Sequence, residues 1–195
     1  MADPLSLVTP SLAQLPAYVS ALERGWWVDH LRGVEAACEE LARIAADPRT
    51  WVAAQTDREG RGTVTLPDGS TAPRIPGYRL WMWDGEFVGV ISLRWVPGTA
   101  ALPPHVLGHV GYSVVPWKRQ RGYAKAALGM MLLRARVEGL TSLEITTDPD
   151  NIASRRAIEA NGGVLVESFQ RPAAYGGGLG LRYQIDLPAA VEPAR

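Results

Sequence analysis

Apolar residues recur at helical spacing over Leu12–Glu23, where Ser11 is placed to cap the first turn, and again over Val34–Ala46, which must stop before Pro48. A short strand over Leu5–Val8 precedes them, and Gly25-Trp26-Trp27 breaks the pattern between them. Trp51–Gln55 reads equally as a strand or a helical turn. Asp57–Pro76, rich in Gly, Pro, Thr and Arg, predicts a loop or a weak hairpin around Asp68-Gly69. Tyr78–Trp83 and Glu86–Trp95, joined by Asp84-Gly85, form the strongest short-range hairpin signal in the chain. After a loop over Pro97–Leu107 come a strand at His109–Val115, a helix at Arg121–Val137 ended at Gly139, and a strand at Ser142–Thr147. A helix over Asn151–Ala160 then stops at Asn161-Gly162-Gly163, a left-handed C-cap signal. Two last strands, Val164–Phe169 and Leu181–Leu187, flank a glycine-rich turn at Tyr175–Gly180, and the tail Pro188–Arg195 is expected to fray. With no internal repeat and no linker, this order predicts one mixed α+β domain with a βαβ unit at its centre.

The most informative stretch is His109–Ala124. An apolar strand runs into Pro116, which lacks an N–H and cannot continue a ladder; a basic loop follows, then Gly122 and the small Ala124 at a helix start. A helix N-terminus leaves its first amides unpaired and carries partial positive charge, so this junction favours a phosphate, with Arg119 and Arg121 adding charge.

Composition narrows the classes. The 195 residues are 47% hydrophobic and 21% charged, with zero net charge and a pI near 6.8. That balance suits a globular domain and gives no electrostatic reason to expect nucleic acid or an anionic membrane as partner. Cys38 is the only cysteine, so no intrachain disulfide forms; it is expected as a small core residue. His30, His105 and His109 lack zinc-site spacing, so no metal is expected. No secretory signal and no membrane-length apolar run is visible, which makes a cytoplasmic location the default expectation.

Arg119-Gln120-Arg121-Gly122-Tyr123-Ala124 fits the pattern Arg/Gln-x-x-Gly-x-Gly/Ala. Together with the upstream hairpin, the strand directly before it and the downstream strand–Asn-x-x-Ser–helix, the chain resembles the GNAT superfamily of acyl-CoA-dependent N-acyltransferases. The resemblance is good over residues 78–170 and looser over the whole chain. It implies a mixed, mostly antiparallel sheet flanked by helices, and acetyl transfer from acetyl-CoA to a primary amine by direct attack. It also implies that the amides around Gln120, Arg121, Gly122, Tyr123 and Ala124 cradle the cofactor's pyrophosphate, with Arg119 beside them. The strand ending at Val114 and Val115 would be bulged and splay from its parallel neighbour Ser142–Thr147. The gap would admit the pantetheine arm, and the Val114 amide would face the thioester carbonyl. Asn151 and Ser154 would lie on the cofactor side, although capping alone also accounts for them.

Many members of the family carry a tyrosine seven residues after that asparagine, which protonates the leaving thiolate; here the position is Ile158. Tyr123, Tyr112 or water would have to substitute, or the thiolate leaves unprotonated. A general base for the amine is also required; His109 is the candidate by its near-neutral pKa, with Glu86 and Glu144 behind it. A hydrogen-bonded sheet histidine is the competing reading of His109. Seven tryptophans are present. Trp81 and Trp83 share one strand face and read as core. Trp26 and Trp27 lie in the loop that covers the acceptor in the resembling family, and are expected to wall the acceptor site.

Two other classes compete with this reading. A non-catalytic acyl-CoA sensor would keep the phosphate loop and lose the acid, as Ile158 allows. A nucleotide-binding protein is disfavoured, because the Gly176–Gly180 run lies between two strands with no helix after it. The acceptor, a small-molecule or peptide amine, is open, and the exposed final strands could pair across a homodimer.

Overall fold

The computed structural model describes residues 3–29, 31–66 and 69–187. His30, the Asp68 of the weak hairpin signal and the tail 188–195 lie outside the described residues. In chain order the elements are β1 (Ser6–Val8), α1 (Leu15–Glu23), α2 (Gly33–Ala46), α3 (Pro48–Ala53), β2 (Thr56–Asp57), β3 (Thr63–Thr65), β4 (Thr71–Pro73), β5 (Gly77–Trp83), β6 (Phe87–Arg94), β7 (Val110–Val114), α4 (Tyr123–Val137), β8 (Ser142–Thr147), α5 (Ile152–Glu159), β9 (Val164–Gln170) and β10 (Leu179–Asp186).

All three described sheets are built from antiparallel ladders. The first runs β1-β5-β6-β7, with β2 sharing the β5 edge with β1; the second runs β8-β10-β9; β3 and β4 form a separate small hairpin. Strand alternation sends the two faces of the first sheet into different cores. Leu80, Met82, Ile91, Leu93 and Val110 meet Leu128 and Met131 of α4, Ile158 of α5 and the second sheet. On the opposite face, Trp81 and Val90 meet Tyr18 and Leu22 of α1, with Trp26, Trp51 and Phe87. Trp81 stacks on Tyr18 with ring centroids 5.2 Å apart, so its core assignment holds, and Trp83 packs half-buried on the same cluster.

Local chemistry explains where elements shift from their predicted bounds. Helix α1 begins at Leu15 because Pro16 suits a first turn, while Ser11 anchors the preceding turn by accepting the Gln14 and Leu15 amides on its carbonyl. The ambiguous Trp51 segment lies in α3, whose N-cap Asp47 accepts the Thr50 amide at 3.0 Å with Pro48 following. Cys38 is exposed, not buried: α2 turns Ala37 and Ile44 to the core, and Cys38 falls off that face. At the end of α5, Gly162 takes φ +84° and the Gly163 amide bonds Ile158 O at 3.0 Å, as the glycine pair predicts.

Candidate functional site

The chain leaves β7 through the buried Val115 and turns over Pro116–Lys118 as a single 3-10 turn. Gln120 (φ +62°) and Gly122 (φ +78°) then both adopt left-handed backbone before α4 begins. Gly122 is the N-cap of α4 and offers no side-chain cap. The Ala126 amide bonds Gly122 O, whereas no backbone acceptor among the described residues takes the amides of Gln120 through Lys125. A Cβ built on Gly122 would meet nothing within 4 Å. The result is an open run of N–H donors at the positive end of a helix, a nest suited to a diphosphate. Arg121 is exposed beside it, while Arg119 turns back and donates Nε–H to Val114 O at 3.1 Å.

This loop is anchored from below. Lys118 is buried and lies 2.5 Å from Asp84 Oδ1 in the β5–β6 turn, and Tyr123 donates its hydroxyl to the other Asp84 oxygen. Burial alone would raise the Asp84 pKa; bonds from Lys118 and Tyr123 outweigh it and hold the carboxyl below its ordinary value. Sequence reading took Asp84 only as a turn residue and missed this role. Tyr123 has its hydroxyl committed here, so only its amide faces the nest.

Strand β7 is hydrogen-bonded to β6 through Arg94 N–H to His109 O at 2.9 Å and Val115 N–H to Val88 O at 3.0 Å. Bonding positions alternate along an antiparallel strand, so Gly111 and Ser113 aim their amides at β6. Val110, Tyr112 and Val114 aim theirs the other way, towards the side on which β8 lies. A pair of hydrogen bonds joins the two sheets there: His109 N–H donates to Glu144 O at 2.7 Å, and Glu144 N–H donates to His109 Nδ1 at 2.9 Å. Beyond that clasp no ladder joins β7 to β8 among the described residues. The splay arises without the expected bulge in β7, whose register with β6 is regular; the bulge falls in the β5–β6 hairpin between Met82 and Trp83. Gly89 sets the close approach of β6 to β7, since a Cβ there would come 2.2 Å from Ser113 O.

Across the splay, Tyr112 Oη lies 2.9 Å from Ser154 Oγ on α5, and Ser154 N–H donates to Asn151 Oδ1 at 3.1 Å. Asn151 is thus an N-cap whose amide nitrogen stays outside the cap bond. Burial raises the Tyr112 pKa against the Ser154 bond, which keeps the phenol protonated. Ile158 is sealed in the first core, so the tyrosine position of the resembling family is structural here.

Two expectations are corrected by burial. His109 is wholly buried, and its Nδ1 lone pair is spent on the Glu144 amide, which fixes the proton on Nε2 of the neutral ring. It has no lone pair left with which to act as a general base, and burial pushes its pKa below the ordinary value. The sheet-histidine reading describes it. Trp26 is 2% exposed, a core residue whose indole N–H donates to Ser113 Oγ at 3.0 Å, so it does not wall an open site. Trp27 lines a cavity of about 210 Å³ with Arg32, Glu40 and Arg79. The alternative bases are also engaged: Glu144 holds Arg182 at 2.6 Å, and Glu86 lies 3.1 Å from Lys118.

On the same face of the first sheet lies a cavity of about 450 Å³, lined by Arg79, Ser92, Arg94, His105 and Tyr175 among others. Sequence reading did not find it, because it is assembled from β5, β6, the β2–β4 segment and two distant loops. Arg79 stands between the two cavities, paired with Glu40 at 3.1 Å. No group of three or more His, Cys, Asp or Glu among the described residues is arranged to hold a metal ion. No helix among them is long and apolar enough to cross a membrane.

Comparison with known proteins agrees with this architecture. No curated protein matches the chain. Among solved structures, a GNAT-family acetyltransferase from Bacillus anthracis matches with a TM-score of 0.63 at 14% identity, covering 95% of this chain and 96% of that one. RimL, a ribosomal L7/L12 α-N-protein acetyltransferase solved with coenzyme A, matches with a TM-score of 0.60 at 16% identity, over 97% and 100% of the two chains. The microcin C7 self-immunity acetyltransferase MccE, solved with acetyl-CoA and AMP, matches with a TM-score of 0.58 at 12% identity, over 94% and 93%. These likenesses establish the fold. The family model for the acetyltransferase (GNAT) domain matches residues 30–164, which is more than half of the sequence, and the chain belongs to the GNAT acetyltransferases.

Proposed function

We propose that this protein transfers an acetyl group from acetyl-CoA to a primary amine by direct attack. The observation that carries the reading is the junction of β7 and α4, where consecutive unpartnered amides open beside a strand that has left its neighbour. The residues fit the cofactor. The amides of Gln120 to Lys125 would hold the diphosphate, with Arg121 supplying charge. The outward N–H groups of Tyr112 and Val114 would pair with the pantetheine amides as a ladder partner does. The bound cofactor supplies an activated acyl group as a thioester. The Val114 amide donates where negative charge develops on the acyl oxygen; one such donor contributes about 3 kcal/mol in enzymes where it has been removed. Tyr112, held by Ser154, gives its proton to the departing sulfur. In this proposal water takes the proton of the amine, since His109 has no free lone pair.

Acetyl-CoA should raise the melting temperature and bind with micromolar affinity by calorimetry, and free thiol should appear when a panel of amines is added. Stabilisation with no thiol release from any amine would favour a sensor of acyl-CoA. Absence of binding would remove the reading altogether.

A further inference from the structure

On the acetyltransferase reading, we propose that the 450 Å³ cavity receives the acceptor and that Arg94 selects amines that carry a carboxylate. Arg94 projects from β6 on the face shared with Arg79 and Ser92, and its guanidinium lies over Gly111 of β7. A Cβ on Gly111 would stand 3.0 Å from Arg94 Nη2, so the missing side chain is what lets the charge rest there.

The other charges of this wall are spoken for. Arg79 is paired with Glu40 at 3.1 Å and also reaches Tyr18 Oη at 3.4 Å. Arg74 faces Asp57 at 4.0 Å, and the Asp57 carboxylate accepts amides of Glu59, Gly60 and Arg61. His105 Nε2 lies 3.0 Å from Pro73 O, and Tyr175 donates its hydroxyl to His105 O. Among the described residues no carboxylate lies within ion-pair distance of the Arg94 guanidinium. Desolvation lowers the Arg94 pKa, the nearby Tyr175 phenol works against that, and the Arg79 charge adds to the lowering.

A guanidinium held among protein groups without a counter-charge is costly, and an anionic ligand relieves that cost. Its planar fork of donors matches a carboxylate. One positive charge with no ion-pair partner among the described residues suits a monoanion better than a phosphate dianion, because Arg79 and Arg74 are already balanced. Position sets the size of the acceptor. The Val114 amide that would face the acyl oxygen lies three residues along β7 from Gly111, so the acceptor spans about 10 Å between its carboxylate and its amine. A cavity in the range of about 300–1,000 Å³ takes a small molecule of that kind.

The test titrates a panel of carboxylic acids acetylated on an α-amine, a side-chain amine or the N-terminus of a short peptide, and their primary amides, into the full chain with coenzyme A present, following binding by calorimetry. At least one acid should bind about tenfold or more tightly than its amide, and Arg94→Met should erase the difference while leaving the melting temperature unchanged or raised. Equal binding of acids and amides by the wild type, or no binding of any acid, overturns the proposal. So does an acid preference that survives in Arg94→Met, or an Arg94→Met protein that loses both stability and binding of acid and amide alike. Inorganic phosphate competing better than acetate would instead assign the cavity to a phosphorylated acceptor and overturn the carboxylate assignment. Acetyl-CoA binding and thiol release, measured separately, report on the acetyltransferase reading itself.

Discussion

Lys118 Nζ stands 2.5 Å from Asp84 Oδ1, each side chain under a tenth exposed, so the tip of the β5–β6 hairpin holds the loop that opens α4. Removing Asp84 leaves the buried Lys118 with only the exposed Glu86, 3.1 Å away, as counter-charge. Asp84→Ala should cost about 3 kcal/mol or more in urea unfolding, whereas the Asp84→Leu/Lys118→Met double variant should recover part of that loss. Both should bind acetyl-CoA more weakly, because the loop loses its anchor. The folded pKa of Asp84 is depressed, so its contribution is present above the unfolded value near about 3.9 and is lost as pH falls through the folded value. That of Lys118 is raised, so its contribution is present below about 10.4 and is lost as pH rises through the folded value. The acid limb of the stability curve should therefore flatten in the double variant.

Gly122 and Gly139 separate strain from ligand contact. Both have left-handed φ, +78° and +84°, and a Cβ at either meets nothing within 4 Å. Alanine at each should cost about 1–2 kcal/mol of stability through the same backbone penalty. Only Gly122→Ala should weaken acetyl-CoA, by about tenfold, since only it places a methyl in the amide nest. Equal loss of affinity in the two variants would show that the effect is one of folding.

The loop proposed to hold the phosphates was legible in the sequence because its chemistry is local. A proline that ends a strand, a glycine with positive φ and a helix start lie within a few residues of one another, and α5 is announced by Asn151 at its cap and Gly162-Gly163 at its end. The hairpin at Asp84-Gly85 was legible for the same reason. What pairs across the fold was not. Asp84 meets Lys118 and Tyr123 from 34 and 39 residues away, and no periodicity encodes that. The near-neutral pKa that drew attention to His109 is a property of an exposed ring; inside the sheet, the Glu144 amide consumes the nitrogen that mattered. Trp26 misled through its place in a loop, because Tyr18 and Phe87 draw that part of the loop into the core. The cavity carrying Arg94 is a product of tertiary assembly alone.

His109 is buried neutral and its pKa lies below the ordinary histidine value, chiefly by desolvation. The unfolded chain therefore binds a proton that the folded chain resists. Its contribution is present above about 6.5 and is lost as pH falls from there through the folded value. His109→Gln keeps an acceptor for the Glu144 amide and removes the titrating group. Melting temperature should fall less steeply between pH 7 and pH 5 in this variant than in the wild type, about 6.5 being the unfolded reference. The pH–rate profile of acetyl transfer should keep its limbs. Loss of the neutral limb of that profile would restore His109 as the base.

Tyr112 and Ser154 share a side-chain hydroxyl pair that joins β7 to α5, at 2.9 Å. Removing the phenolic proton source should slow release of the thiol more than it weakens binding. Tyr112→Phe should lower kcat by about tenfold, below the usual range for a lost general acid because a thiol of pKa near about 8.5 is a fair leaving group unaided. Its dissociation constant for coenzyme A should be unchanged. Acyl donors with more acidic thiols should narrow the difference between Tyr112→Phe and wild type, because such thiols need the proton less. Adding Ser154→Ala to Tyr112→Phe should cost little more, since the two hydroxyls act as one relay. A Tyr112→Phe enzyme slowed equally with every donor would mean that Tyr112 shapes the gap, with the sulfur departing as the free thiolate.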